Sequence, residues 1–218
     1  MTRIGGAVGL WRLGVLLLAA GFWAYEFTFQ DLADFGWQFR FLAIWALSLS
    51  AVSGALALRL SLVPESEVPG TLFTVTAAIN AASVLMFWRL WLIDPQLVQA
   101  DGRAVPSQFW YLHGLGPALQ WIEVLVLSRG ARRVLPSLGW IAGIAAVYVL
   151  WLEGAVRPLN EVPGGTVTTG LPYPFLNDMV LGARLAFYAQ AALLALALGA
   201  AIAWAGRDDL RARSPSYA

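Results

Sequence analysis

The chain has 218 residues, 59% of them hydrophobic and only 12% charged, against about 25% charged in an ordinary soluble domain. That excludes a water-soluble fold, because too little charge is present to solvate a surface and the apolar residues come in blocks between short polar breaks. A net charge of +1 and the absence of Cys argue against nucleic acid as a partner and leave no disulfide or thiolate site. The single His excludes multi-histidine metal centres, which need three or four ligands; neither a metal nor another cofactor is expected.

Six apolar stretches approach the roughly 20 residues that cross a bilayer. They lie near 8–28, 38–60, 70–92, 107–128, 134–153 and 181–205. The reading is an all-α polytopic membrane bundle forming one domain over 1–218, with no internal repeat. The first stretch follows a basic N-terminus as a signal peptide would. Its apolar run continues through Phe22, Trp23, Tyr25 and Phe27, so it reads as a retained helix.

Orientation follows from the loop arginines. Arg3, Arg59, Arg129, Arg132, Arg133, Arg207, Arg211 and Arg213 fall on one side. Asp31, Asp34, Asp94, Asp101, Glu153, Glu161 and Asp178 fall on the other, with Arg103 and Arg157 as exceptions. Both termini are therefore expected in the cytoplasm. Every basic residue is Arg and none Lys, a bias of GC-rich genomes, so the expected location is a bacterial cytoplasmic membrane. The Pro-, Gly- and Thr-rich segment 154–180 is expected to fold over the outer mouth of the bundle.

Small residues recur every four positions at Ala191, Ala195, Gly199 and Ala203, and again at Gly139 and Gly143. Such spacing lets helices approach closely in lipid. Polar residues at membrane depth need partners there and so carry the most information. The fourth stretch carries His113, Gly116, Gln120 and Glu123, spaced three, four and three apart on one helical stripe. The third offers Thr76, Asn80 and Ser83, with Arg89 near its outer end; the second offers Ser48, Ser50 and Ser53. Glu26, Arg40 and Arg184 fall near the outer boundary, where Tyr25, Trp37, Trp110 and Tyr173 suit an aromatic belt.

Two readings compete: a polar pocket lined by the second, third and fourth helices, or hydrogen bonds that only fix the bundle. For the serines and threonines the second is favoured. Glu123 needs either a proton or an Arg from 129–133, because an unpaired charge there is expensive.

Four segments resemble a known family in order and depth. They are Trp37-Gln-Phe-Arg-Phe-Leu-Ala-Ile-Trp45, Trp110-Tyr-Leu-His-Gly-Leu-Gly-Pro117, Tyr148-Val-Leu-Trp151, and Tyr173-Pro-Phe-Leu-Asn177 followed by Gly182-Ala-Arg-Leu-Ala-Phe-Tyr188. Over about 10–205 the chain is similar to the androgen-induced, androgen-dependent six-helix membrane hydrolases, which cleave fatty acid esters of hydroxy fatty acids. The resemblance implies a nucleophilic threonine on the second helix and a histidine base on the fourth.

Here those positions read Ala43 and Gly116, and neither side chain transfers a proton. His113 matches the first histidine of the family segment, and a Ser50–His113 dyad looks too stretched for a hydrogen bond. The expectation is a non-catalytic relative. It would bind a lipid or isoprenoid chain in a pocket enlarged at Ala43 and Gly116, or serve as an accessory subunit of a larger membrane complex. Pocket candidates are Ala43, Ser50, Asn80, His113, Gly116, Gln120 and Glu123. The alternative is a lipid-ester hydrolase with a rearranged site. A transporter is less favoured, since the broken-helix repeats of such folds are missing.

Overall fold

A computed structural model describes residues 2–29, 32, 34–63, 65–98, 107–128, 133–160 and 170–205. Among them there is no strand. Five helices are long and apolar enough to cross a membrane. They are α1 (Thr2–Phe29), α2 (Leu42–Leu62), α3 (Gly70–Ile93), α5 (Val134–Leu159) and α7 (Leu181–Ala205). Between α3 and α5, α4 runs over 107–127 as four helical pieces in unbroken succession: Ser107–Trp110, Tyr111–Leu115, Gly116–Ile122 and Glu123–Leu127. At about 1.5 Å per residue α4 is about 30 Å long, the thickness of the hydrocarbon layer. A short helix, α6 (Pro174–Asp178), leads into α7. The side where α1 ends and α2 begins is called outer below, after the arginine pattern.

The fifth helix is longer than the sequence suggests. It passes 153 and continues to Leu159, so 154–159 is helix and not loop. Of the remaining outer segment, 161–169 lies outside the described residues, as do Asp31, Asp101, Arg103, Arg129, Arg132, Glu161, Arg207, Arg211 and Arg213. The 170–176 stretch does fold inward, burying Gly170, Leu171, Pro172 and Leu176 against Leu152, Val156 and Tyr188.

α3 is the central helix. About 78% of its span is buried by protein, against 17–39% for the other four spans, and it packs on α2, α4, α5 and α7. Its sequence fits that place: Ala77, Ala78, Ala81 and Ala82 let neighbours come close, while Phe73, Ile79, Met86 and Phe87 fill the gaps between them. α1 lies against α2, where Gly54 brings the α2 backbone close enough that a Cβ would stand 3.3 Å from the Leu16 Cα.

The two small-residue stripes differ in fate. On α7, Ala195, Gly199 and Ala203 are buried. On α5, Gly139 and Gly143 are exposed, and a Cβ added at either would meet nothing within 4 Å, so the expected close approach at those two glycines is not made within the bundle. At Gly199 the contact is tight: an added Cβ would overlap the Ile141 Cδ1, with Ala78 Cβ 3.5 Å away on the other side. Gly199→Ala is therefore expected to destabilise by about 1–3 kcal/mol through overpacking. Ile141→Val, which removes the overlapping methyl, should restore most of that loss in the double variant, as read by denaturant unfolding in micelles. Additive losses would place the effect elsewhere.

α4 departs from regular geometry for a covalent reason. Pro117 has no N–H, so the carbonyl four residues back, that of His113, loses its helical donor. The backbone widens into a π turn over Tyr111–Leu115, with His113 at φ −117° and ψ 20°. The indole Nε1 of Trp88 on α3 donates to the freed His113 carbonyl at 2.8 Å. A second π turn, Leu152–Val156, precedes Pro158 in α5, and a third, Glu123–Leu127, ends α4. Each of the three carries a single His or Glu: His113, Glu153 or Glu123.

Candidate functional site

The candidate residues of α2, α3 and α4 divide into two groups. Ala43, Ser50, Asn80 and Gly116 surround one cavity with Leu47, Tyr111, Leu112 and Pro117. Its volume is about 10 Å³, room for a single water. Ser50 Oγ donates to the Ala46 carbonyl at 2.8 Å and accepts from Asn80 Nδ2 at 3.0 Å. The same Asn80 amide donates to the Thr76 carbonyl at 2.9 Å. Ser50 and Asn80 thus join α2 to α3 by one cross-helix bond, while the Thr76 hydroxyl beside them is buried without a partner among the described residues.

The cavity is not elongated and not enlarged, because Tyr111 occupies the space beside Gly116. A Cβ at Gly116 would stand 3.0 Å from the Tyr111 carbonyl oxygen and 3.2 Å from two carbons of its ring. That ring is buried and stacks on Phe22 of α1 at 3.9 Å between centroids. The tight approach arises in the π turn itself, where the Gly116 N–H bonds to the Tyr111 carbonyl. A small residue at 116 does not widen this site; it makes room for the aromatic ring of the preceding turn.

His113, Gln120 and Glu123 are buried on the same stripe but are not among the residues lining this cavity. His113 lies flat on Phe87 of α3, centroids 3.8 Å apart, with Phe109 at its edge. Its Nδ1 is buried without a hydrogen-bond partner. The imidazole is enclosed by aromatic rings, while Ser50 faces Asn80, so the two do not form a nucleophile–base pair.

Among the described residues Glu123 finds its partner on α1; Arg129 and Arg132 of the expected loop lie outside them. Arg12 Nη2 donates to Glu123 Oε1 at 2.7 Å, and Nε reaches both carboxylate oxygens at 3.2 Å. The remaining capacity is used: Arg12 donates to Ser61 Oγ at 2.9 Å and Ser128 Oγ at 3.1 Å, and Ser128 donates to Glu123 at 2.5 Å. Arg12, Val15, Ala19, Phe22 and Glu26, spaced three and four apart, form the inward stripe of α1, all buried or nearly so. Sequence reading missed Arg12, although a charge inside the first apolar stretch is itself the signal that a buried partner exists.

A larger cavity of about 60 Å³ lies elsewhere, between α3, α5 and α7 and beneath the 172–176 segment. Its walls are chiefly Ile79, Ala82, Ile144, Ala191, Ala192 and Ala195, and its outer end meets Tyr148, Tyr173 and Tyr188. Tyr173 thus faces the inside of the molecule and is no part of an outer belt; Tyr25, Trp37 and Trp110 are exposed as a belt requires. Burial pushes the Tyr173 hydroxyl up to about 12, so it remains a hydrogen-bond donor at neutral pH.

A polar frame holds this outer end. Arg184 of α7 grips Glu153 of α5 with Nε at 2.7 Å and Nη2 at 2.8 Å, a bidentate pair. Its Nη1 donates to the Met179 carbonyl, and Tyr188 donates to Glu153 at 2.9 Å. Arg40, just before α2, donates to the Gly170 carbonyl at 3.1 Å and pairs with Asp34 at 2.9 Å, while Tyr148 donates to its carbonyl at 2.7 Å. These bonds tie the segment to α2, α5 and α7, so the chamber has a fixed roof.

No curated protein and no solved structure matches the chain. The model of one family, the FAR-17a/AIG1-like proteins, matches residues 9–205, which takes in all six helical stretches from α1 to the end of α7. The chain therefore belongs to the FAR-17a/AIG1-like family of membrane proteins.

Proposed function

We propose that this chain is a non-catalytic member of its family that holds the hydrocarbon chain of a lipid inside the bundle. The observation that carries the reading is the contrast between the two cavities. Where the family resemblance puts a threonine and a histidine, Ala43 and Gly116 border about 10 Å³ and Tyr111 fills the rest. Between α3, α5 and α7, about 60 Å³ lies open among alanines and branched aliphatic side chains. A pocket lined by apolar groups with few polar ones suits an apolar ligand, and a lipid chain is the apolar ligand a bilayer supplies.

The hydrolase alternative requires an activated hydroxyl. Ser50 is engaged with Asn80 and a backbone carbonyl and has no imidazole beside it. Purified protein treated with a fluorophosphonate probe is expected to stay unlabelled at concentrations that label a competent serine or threonine hydrolase. Covalent labelling that mapped to Ser50, and vanished in Ser50→Ala, would overturn the non-catalytic reading.

A further inference from the structure

The chamber between α3, α5 and α7 has a direction. From Phe187 near the roof to Ala195 on α7 is about 12 Å along the bundle, at about 1.5 Å per residue, and both residues line it. A cavity of about 60 Å³ leaves no room for two hydrocarbon chains side by side. The deep end, at Ile79, Ile144 and Ala195, is wholly apolar. Three hydroxyl groups gather at the outer end, on Tyr148, Tyr173 and Tyr188, and Ser83 of α3 adds a fourth to the wall.

Those hydroxyls are not equivalent. Tyr148 and Tyr188 already donate, to the Arg40 carbonyl and to Glu153. The Tyr173 hydroxyl has no hydrogen-bond partner among the described residues. Charge is absent from the walls: no residue lining the chamber is ionisable to a cation or carboxylate, and the nearby Arg184 guanidinium has all three nitrogens engaged by Glu153 and the Met179 carbonyl. A site whose uncommitted polar groups are neutral hydroxyls, on Tyr173 at the outer end and Ser83 on the α3 wall, and which has no free cation, takes a neutral acceptor. An ionised headgroup would lie there without compensation.

We infer that the chamber is a binding site for a neutral single-chain lipid, an acyl or isoprenoid alcohol, held with its tail toward Ala195 and its oxygen accepting a hydrogen bond from Tyr173. This rests on the reading of the chain as a lipid-chain holder and adds the site, the polarity and the direction of the ligand. A two-tailed phospholipid is excluded by width and a fatty carboxylate by charge.

The test uses the full chain in nanodiscs and three photoreactive probes: a diazirine-bearing hexadecanol, a diazirine-bearing geranylgeraniol and a diazirine-bearing palmitic acid at pH 8. Saturable cross-links from one or both alcohols are expected on peptides of α3, α5 and α7 that face the chamber, and which alcohol competes better identifies the source. Palmitate should label at least tenfold less. Ala192→Trp, which places an indole in the chamber, should reduce labelling at least tenfold, and Tyr173→Phe, which removes only the hydroxyl, several-fold. Circular dichroism and elution volume of the Tyr173→Phe variant should be unchanged, which separates loss of the donor from loss of the fold. Equal labelling by palmitate, or labelling indifferent to both substitutions, overturns the inference. If saturable cross-links map instead to α2 and α4 beside Ala43, the lipid-holding reading survives and this site does not. If no probe labels saturably, both fall.

Discussion

Arg12→Leu is expected to destabilise the protein by about 3–5 kcal/mol, the usual cost of removing one partner from a buried ion pair. Arg12 and Glu123 are both buried, and among the described residues the substitution leaves Ser128 as the remaining partner of the Glu123 carboxylate. Glu123→Leu should cost a similar amount, because it strands the guanidinium. Replacing both with apolar groups of similar size, as in Arg12→Met combined with Glu123→Leu, should recover most of the loss, since the desolvation of both charges disappears together. Unfolding of the purified protein by SDS in mixed micelles reads all three. The consequence is structural as well as energetic. Protein buries only about 17% of the α1 span, so this pair and the Phe22–Tyr111 stack are the specific contacts that bind α1 to α4. Single substitutions each costing under about 1 kcal/mol would show that α1 is held by lipid-facing apolar packing alone.

The second large effect is a gain of reaction. Ala43→Thr with Gly116→His restores the residue types that the resemblance assigns to nucleophile and base, yet that double variant is expected to show no ester hydrolysis. The imidazole must enter space that the Tyr111 ring fills, two of whose carbons stand 3.2 Å from a Cβ at 116. Adding Tyr111→Ala removes the ring and opens room beside Ala43, which lines the same cavity. In that triple variant a positioned base should raise hydrolysis of a fluorogenic long-chain ester by about 10²-fold or more over the matched variant lacking Gly116→His. Activity in the double variant would mean that the ring at 111 moves aside freely. Inactivity in a folded triple variant would mean that positions 43 and 116 do not meet as the resemblance implies.

Much of the fold was legible because hydrophobic block length is a strong signal in lipid. α3 and α7 follow their apolar runs to within a residue. The fourth stretch is helical where expected, but its π turns could not be read from apolar length. The first comes from Pro117 and from one cross-helix bond, that of Trp88 to the His113 carbonyl. α5 overran its expected end because a π turn over Leu152–Val156 carries the helix past the missing N–H of Pro158.

The site was less legible. Spacing put His113, Gly116, Gln120 and Glu123 on one buried stripe, but a stripe on a helix does not say which neighbour each residue meets. Glu123 meets α1, Gly116 meets the ring of Tyr111, and His113 meets Phe87. Tyr111 is the residue whose part was missed: a small side chain at 116 suggested an enlarged pocket, and only the π turn reveals that its own preceding turn fills it. The larger chamber had no charged signature, and its hydroxyls, on Ser83, Tyr148, Tyr173 and Tyr188, come from four separate segments. The rest of its walls are mostly alanines and aliphatics, which in sequence look like any lipid-facing helix.

Native mass spectrometry of the detergent-purified protein separates a lipid holder from a hydrolase. One neutral lipid chain per protein is expected to survive delipidating washes and to leave on unfolding, with the mass of the protein itself unchanged. Protein that sheds all lipid in those washes while turning over a long-chain ester would contradict the lipid-holding reading.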